Sequence, residues 1–241
     1  MTQAQPGLIR SRIAEGSGAP AAGNVRCIPA TVGAPLLVAF SGHWGHLAMP
    51  IFEFGRLTDH LEVSRLLVRE PYRAWYHRGL PEAGPDILSL CSLLERHVRD
   101  VRPRSVIAFG VSAGGYAALL FGALLGFDEV HALAPQTTLG RWHRLRMLDR
   151  RWQRDIAQIY RTAPQNRPFR DLRRVLPRRP SATTFHVHYS RADRLDALHA
   201  ERLADLPNVL LHSYPAGGHR LARWLHERGE LLRLLERAVG P

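Results

Sequence analysis

Ser105-Val106-Ile107-Ala108-Phe109-Gly110-Val111-Ser112-Ala113-Gly114-Gly115-Tyr116-Ala117-Ala118-Leu119-Leu120-Phe121-Gly122 carries more information than any other stretch of the chain. The apolar run 106–109 has the length of a buried strand, and the small apolar residues after Gly114 read as a helix. Between them stands Gly-x-Ser-x-Gly with Ser112 at its centre. A strand that reverses into a helix over so few residues needs a sharp, strained turn, and the serine at its tip projects its hydroxyl from the edge of the sheet. Gly110 and Gly114 fall where strand and helix backbones pass too close for a β-carbon. The helix N-terminus behind Ser112 offers backbone N–H groups and the positive end of a dipole to a developing oxyanion.

Outward from this turn, strand and helix signals alternate along the chain. Strands are expected at 25–29, 36–40, 63–68, 106–109, 130–134, 183–189 and 209–214. Ile87, Leu90, Leu94 and Val98 recur at helical spacing behind Asp86, a suitable N-cap, and predict a helix over 86–101. Further helices are expected over 198–206 and 221–239, and 50–61 has mixed helical character. Such alternation predicts an α/β fold: a mostly parallel, doubly wound sheet with helices on both faces. The expected organisation is a loose Gly/Pro/Ala-rich leader over 1–24 and one domain over 25–241.

Composition bounds the function. The 241 residues, 45% of them hydrophobic, suit a single domain with a sizeable core. No window approaches the roughly 18 consecutive apolar residues of a membrane span. The first residues lack the charged-then-apolar order of a signal peptide, so cytoplasmic residence is the default expectation. Cys27 and Cys91 are the two cysteines, and both read as small core hydrophobes rather than as a disulfide or redox pair.

The net charge of +12 is carried by arginine alone, for the chain has no lysine. From 138 to 180 there are 13 Arg against three Asp (Asp149, Asp155 and Asp171), an excess of ten in one segment. Pro164, Pro168 and Pro177 break this segment into short helices. Its arginines admit two readings: forks that attract an anionic substrate or carrier, or a solvated helical surface in a lysine-free chain. Trp142, Trp152, Tyr160 and Phe169 are interspersed, but no nucleic-acid-binding motif accompanies them, and nucleic acid is not an expected partner. Trp142 and Trp152 read as anchors of the segment against the rest of the domain.

With the strand before and the helix after, the Ser112 turn resembles the nucleophile turn of the α/β-hydrolase superfamily. By element order the resemblance runs from about residue 36 to 239, and no subfamily is identified. It implies a serine nucleophile followed in chain order by Asp or Glu and then His, each on a loop just past a strand. It also implies that the Arg-rich insertion, about 138–180, forms a helical cap over the active site.

The sequence supplies that order. After the last expected strand comes Tyr214-Pro215-Ala216-Gly217-Gly218-His219-Arg220, whose glycines permit a tight loop that swings an imidazole over the sheet edge, and His219 is the candidate base. After the strand at 183–189 comes Ser190-Arg191-Ala192-Asp193-Arg194-Leu195-Asp196. Asp193 is the first candidate acid and Asp196 the alternative, which otherwise reads as an N-cap; the two can exchange these roles. Ser190 stands where the superfamily often has glycine, which loosens the register.

For the oxyanion, Ala113 offers one backbone donor. The loop Ser41-Gly42-His43-Trp44-Gly45 should offer the other, from His43 or Trp44. His43 itself reads as a loop or substrate-contact residue. His186 and His188 share one side of a strand, but no matching carboxylate or third ligand stands at useful spacing, so no metal is read there and no cofactor is implied. The expected reaction is cleavage of an ester or thioester of a small-molecule or carrier-bound acyl substrate. Transfer to another acceptor, or a non-catalytic protein binding through its basic segment, are the alternatives.

Overall fold

The structure is a computed structural model and describes residues 23–42, 57–179 and 181–240. Seven strands form one sheet: β1 (Val25–Ile28), β2 (Leu36–Phe40), β3 (Ser64–Val68), β4 (Val106–Val111), β5 (Glu129–Leu133), β6 (Thr184–Ser190) and β7 (Val209–Tyr214). Their spatial order is β1-β3-β2-β4-β5-β6-β7. β1 runs antiparallel to β3 and every other pairing is parallel. The α/β sheet read from the sequence is therefore present, and each expected strand matches an observed one to within a few residues.

β2 and β4 lie at the centre of the sheet, and side-chain alternation sends successive residues to opposite faces. Leu36, Val38, Phe40 and Ala108 join one apolar cluster with helices α1 (Ile87–Val101) and α2 (Ala113–Leu125). Leu37, Ile107 and Phe109 join a second cluster on the other face, against α7 (Leu221–His226) and α8 (Glu230–Val239). Both faces of these strands are covered, which is why they read as continuous apolar runs. Asp86 caps α1 as expected, its side chain accepting from the N–H of Ser89.

Between β5 and β6 the Arg-rich stretch forms α3 (Arg141–Met147), α4 (Gln153–Thr162), a 3-10 segment (Pro164–Arg170) and α5 (Leu172–Val175). Several of its arginines serve the fold. Arg170 donates to the carbonyl of Ala163 and lies over the Tyr160 ring. Arg144 donates to the carbonyl of Asp149, and Arg173 pairs with Asp205. Of the two expected anchors, Trp152 packs edge-on to Trp75, with ring centroids 6.4 Å apart. Trp142 is instead exposed.

Two helices differ from expectation. The one expected at 198–206 is α6 (Arg194–Glu201), starting four residues earlier because Asp193 caps it. The single closing helix expected at 221–239 is two, α7 and α8, separated where Gly229 takes a left-handed φ of 68°. Both cysteines are free, Cys91 buried and Cys27 half-buried. No helix among the described residues is long and apolar enough to cross a membrane.

Candidate active site

Ser112 joins β4 to α2 with φ 55° and ψ −117°, a left-handed backbone that only a tightly constrained turn imposes on serine. Its N–H donates to the carbonyl of Leu133 on β5 (2.8 Å), and its own carbonyl accepts from Tyr116 (3.0 Å). The flanking glycines are sterically required. A β-carbon on Gly110 would lie 2.1 Å from the carbonyl oxygen of Gly114, and one on Gly114 would lie 2.1 Å from that of Phe40. The strained turn is thus held by the close approach of β4, α2 and β2.

His219 arrives from the other end of the chain. Gly217 (φ 99°) and Gly218 (φ 52°) turn the backbone after β7 into a short 3-10 segment, Gly218–Arg220. The imidazole Nε2 lies 3.1 Å from the Ser112 hydroxyl, and Nδ1 lies 2.8 Å from Oδ2 of Asp196. Three side chains separated by up to 107 positions in the chain thereby form one hydrogen-bonded line past the C-terminal ends of the strands.

The structure places the two aspartates differently. Asp193 does not meet His219; its Oδ1 accepts from the N–H groups of Leu195 and Asp196 (3.0 Å each) and caps α6. Asp196 sits in the first turn of that helix, fully buried, and turns its carboxylate to the imidazole. The reason is helix phase. With the cap at 193 instead of further along, residue 196 faces the His219 loop.

Sequence reasoning missed two neighbours. Arg151, from the Arg-rich stretch, donates from Nη1 to Oδ1 of Asp196 (2.8 Å) and from Nε to Oδ1 of Asp149 (3.2 Å). Asp149 in turn lies 3.0 Å from Nε2 of the buried His199. Burial pushes the Asp196 carboxyl up, but the hydrogen bonds and charges of His219 and Arg151 outweigh it and hold the group below the usual carboxylate range. The second neighbour is Gln136, just past β5. Its Oε1 lies 3.3 Å from the Ser112 hydroxyl and accepts from the indole N–H of Trp75 (3.1 Å). The indole is a donor only, which fixes the amide with its oxygen toward the serine. Neither neighbour belongs to a recognisable motif; only the folded chain brings them in.

Ala113 opens α2 and is buried, and as the first helical residue its N–H has no acceptor within the helix. Before the second donor loop, Ser41 is fixed from two sides. Its hydroxyl accepts from the N–H of Glu70 (3.3 Å), and its carbonyl accepts from the Tyr76 hydroxyl (3.0 Å). His43 and Trp44, the two candidates for that donor, lie outside the described residues.

No protein-family model matches the sequence, and no curated protein matches it. Solved structures do match. The fluorophosphonate-binding serine hydrolase FphF of Staphylococcus aureus superposes with a TM-score of 0.63 at 15% identity, over 90% of this chain and 92% of that one. The S-formylglutathione hydrolase FrmB of the same organism gives 0.57 at 14% identity, over 90% and 92%. The capsule O-acetyltransferase of Neisseria meningitidis serogroup A gives 0.59 at 13% identity, over 87% and 91%. At such identities the likeness speaks for architecture, and with the sheet order and the turn at Ser112 it establishes that this chain has the α/β-hydrolase fold.

Proposed function

We propose that this protein is a serine hydrolase that cleaves an ester or thioester through an acyl-enzyme. Ser112 is the nucleophile, His219 the general base and Asp196 the acid that orients it. One observation carries the reading: the unbroken line from the Ser112 hydroxyl to Nε2 of His219 (3.1 Å), and from Nδ1 of that ring to Asp196 (2.8 Å).

The chemistry follows from that line. Asp196 accepts a hydrogen bond from Nδ1–H of His219 and so leaves Nε2 as the basic nitrogen facing the serine. As the Ser112 oxygen attacks the substrate carbonyl, its proton passes to Nε2, and the anionic Asp196 offsets the charge of the imidazolium. The oxyanion of the tetrahedral intermediate takes the N–H of Ala113 and a second donor. Each such donor contributes roughly 2.7–4 kcal/mol of transition-state stabilisation. Collapse expels the alcohol or thiol, which takes the proton from Nε2. Water then repeats the sequence on the acyl-serine, releasing the acid and regenerating Ser112.

The Gln136 amide adds a condition. Its oxygen competes with Nε2 for the single hydroxyl proton of Ser112, so the resting enzyme divides that proton between two acceptors 3.3 and 3.1 Å away. A substrate that displaces the hydroxyl toward His219 resolves the competition in favour of catalysis.

The likeness to a capsule O-acetyltransferase favours one second reading, transfer of the acyl group to a hydroxyl acceptor instead of water. It uses the same residues and differs only in what reaches the acyl-serine. For the substrate, an anionic acyl compound or acyl carrier fits the basic stretch at 138–180. A cavity of about 290 Å³ there is lined by Arg141, Arg144 and Arg150 together with Leu145, Leu148 and Asp149, the last of which pairs with Arg144 and leaves Arg141 and Arg150 as the cations for such a group.

A fluorophosphonate probe tests the reading. Wild type is expected to be labelled on Ser112 and to hydrolyse p-nitrophenyl esters or acyl thioesters, and Ser112→Ala to do neither. A wild-type protein that is folded yet takes no label would leave a non-catalytic binding role in its place.

A further inference from the structure

On the sheet face covered by α7 and α8, four histidines stand side by side across three strands. His131 of β5, His186 and His188 of β6 and His212 of β7 stack, with neighbouring ring centroids 4.5 to 5.4 Å apart. Glu129, the first residue of β5, projects on the same side as His131 two residues later. In the parallel register His131 lies opposite His186. One carboxylate oxygen, Glu129 Oε1, therefore meets both rings, at 2.8 Å from Nε2 of His131 and 3.1 Å from Nε2 of His186. The sequence showed only the pair on β6. Of that pair only His186 meets the carboxylate; Glu129 itself and a second imidazole, His131, come from the adjacent strand.

We propose that Glu129, His131 and His186 form a binding site for a divalent first-row transition metal of the zinc class. Two imidazole nitrogens and a carboxylate oxygen are the donors such ions take, and here the three ligand atoms lie within 4.8 Å of one another. Metal–ligand bonds of about 2.0–2.1 Å separate tetrahedral ligands by about 3.3 Å, so the stacked His131 and His186 rings, 4.6 Å apart and nearly parallel, must tilt toward a common point as the Glu129 side chain moves outward. Glu129 is about one-third exposed while His131 is buried, so the ion enters past the carboxylate and water completes its coordination.

The surroundings supply what bare ligands lack. A ligating imidazole needs a partner for its other nitrogen to fix tautomer and orientation. Nδ1 of His131 lies 3.2 Å from Nε2 of His188, and Nδ1 of His186 lies 2.9 Å from Nε2 of His212. Nδ1 of His188 lies 3.2 Å from the Tyr214 hydroxyl. Without metal, the Nε2–H groups of His131 and His186 donate to Glu129. With metal, each ligand ring keeps one proton but carries it on Nδ1, donating to the imidazole behind it, and His188 and His212 each shift their own proton from Nε2 to Nδ1, that of His188 toward Tyr214. Every ring stays neutral and no proton is lost. The Arg237 guanidinium on α8 acts on this cluster and opposes the incoming charge. Ser112, Asp196 and His219 lie past the C-terminal ends of the strands. The ion would tie β5 to β6 and takes no part in acyl chemistry, so this proposal stands whether or not the protein is a hydrolase.

Titration of the metal-stripped full-length protein with Zn²⁺ alone, followed by calorimetry and by melting temperature, tests it. One Zn²⁺ per chain is expected, with a rise in Tm, and Co²⁺ in its place should give the visible absorption of a low-coordinate site. Glu129→Gln and His186→Gln should abolish the binding, and His212→Gln should weaken it roughly 10–100-fold. Arg237→Gln, which removes no ligand and guards against loss by misfolding, should tighten it. His219→Gln and Ser112→Ala should leave it unchanged. Absence of Zn²⁺ binding in wild type, binding that survives His186→Gln, or binding lost only in His219→Gln would each overturn the proposal and leave the cluster as a closed hydrogen-bond network.

Discussion

Arg151 and His219 hold opposite oxygens of the Asp196 carboxylate, each at 2.8 Å. One partner comes from the Arg-rich stretch between β5 and β6 and the other from the loop after β7, so the buried acid is clamped by two segments that do not otherwise share an element. A buried carboxylate with one hydrogen bond can rotate. One that is gripped on both oxygens presents a fixed acceptor to the imidazole.

In the proposed mechanism that clamp makes Arg151 a positioning residue. Arg151→Met is expected to lower kcat about tenfold, the equivalent of ~1.4 kcal/mol, while KM for a neutral ester changes little. It should also move the acid limb of the kcat/KM profile upward, since one of the charges that keeps Asp196 ionised is gone. Arg151→Lys should restore part of kcat by returning the charge without the fork. Steady-state kinetics across pH reads all three; a kcat unchanged in Arg151→Met would show that the His219 bond alone fixes the acid.

The division of labour between the two aspartates separates cleanly by mutation. Asp196→Asn keeps the shape but presents the wrong tautomer of His219, and kcat should fall by roughly 10³–10⁴. Asp193→Asn should be near wild type, because asparagine caps a helix as well as aspartate does. Asp193→Ala should cost about 1 kcal/mol of stability with chemistry largely intact. Parallel denaturant curves and ester hydrolysis decide; a large kcat loss confined to the Asp193 variants would reverse the assignment.

Gly114→Ala tests the steric account of the turn. Its β-carbon would lie 2.1 Å from the Phe40 carbonyl oxygen, a backbone atom that no rotamer change can move. The expected outcome is loss of more than about 2 kcal/mol of stability, or no folding, with any folded fraction unreactive to the fluorophosphonate. Gly126→Ala, at a helix end with open space but a φ of 65°, should cost only about 1 kcal/mol.

The buried histidines should each remove stability as the solution is acidified from pH 7 to 5. His77 is fully buried, and burial, with Arg170 adding to it, pushes its pKa from 6.5 down to about 3. Burial likewise lowers His199, although Asp149 opposes the shift. Below pH 6.5 the unfolded chain takes up protons on these rings that the folded chain refuses, so stability rises with pH through this window and is lost on acidification. At pH 5, 1.5 units below the ordinary value, His77 alone accounts for about 2 kcal/mol. Glu70, raised by burial to about 7, contributes the opposite slope over 4.5 to 7, and it does so equally in a His77 variant. Urea unfolding of wild type and His77→Gln at both pH values isolates the histidine, and identical pH slopes in the two proteins would refute the account.

What could be read without coordinates was local. Val106 to Ser112 to Gly114 announced strand, turn and helix because a close backbone approach admits only glycine, and that constraint is written at neighbouring positions. The order of strands and helices was legible for the same reason, since apolar period and glycine or proline breaks act within a few residues. His219 could be picked out because Gly217 and Gly218 mark its loop. Asp193 ranked ahead of Asp196 on its distance from the strand, but both are acids near a helix start and only the folded helix aims Asp196 at the imidazole. Arg151, Gln136 and the Glu129–His131–His186 cluster were illegible. Gln136 and Arg151 owe their places to neighbours 24 and 45 positions away and the cluster to the lateral register of β5 against β6, and such contacts leave no periodicity or motif in the chain. Local sterics and patterning thus determined the fold and the turn that carries Ser112; which aspartate meets the His219 imidazole, and what holds that carboxylate in place, was decided only when distant segments packed against one another.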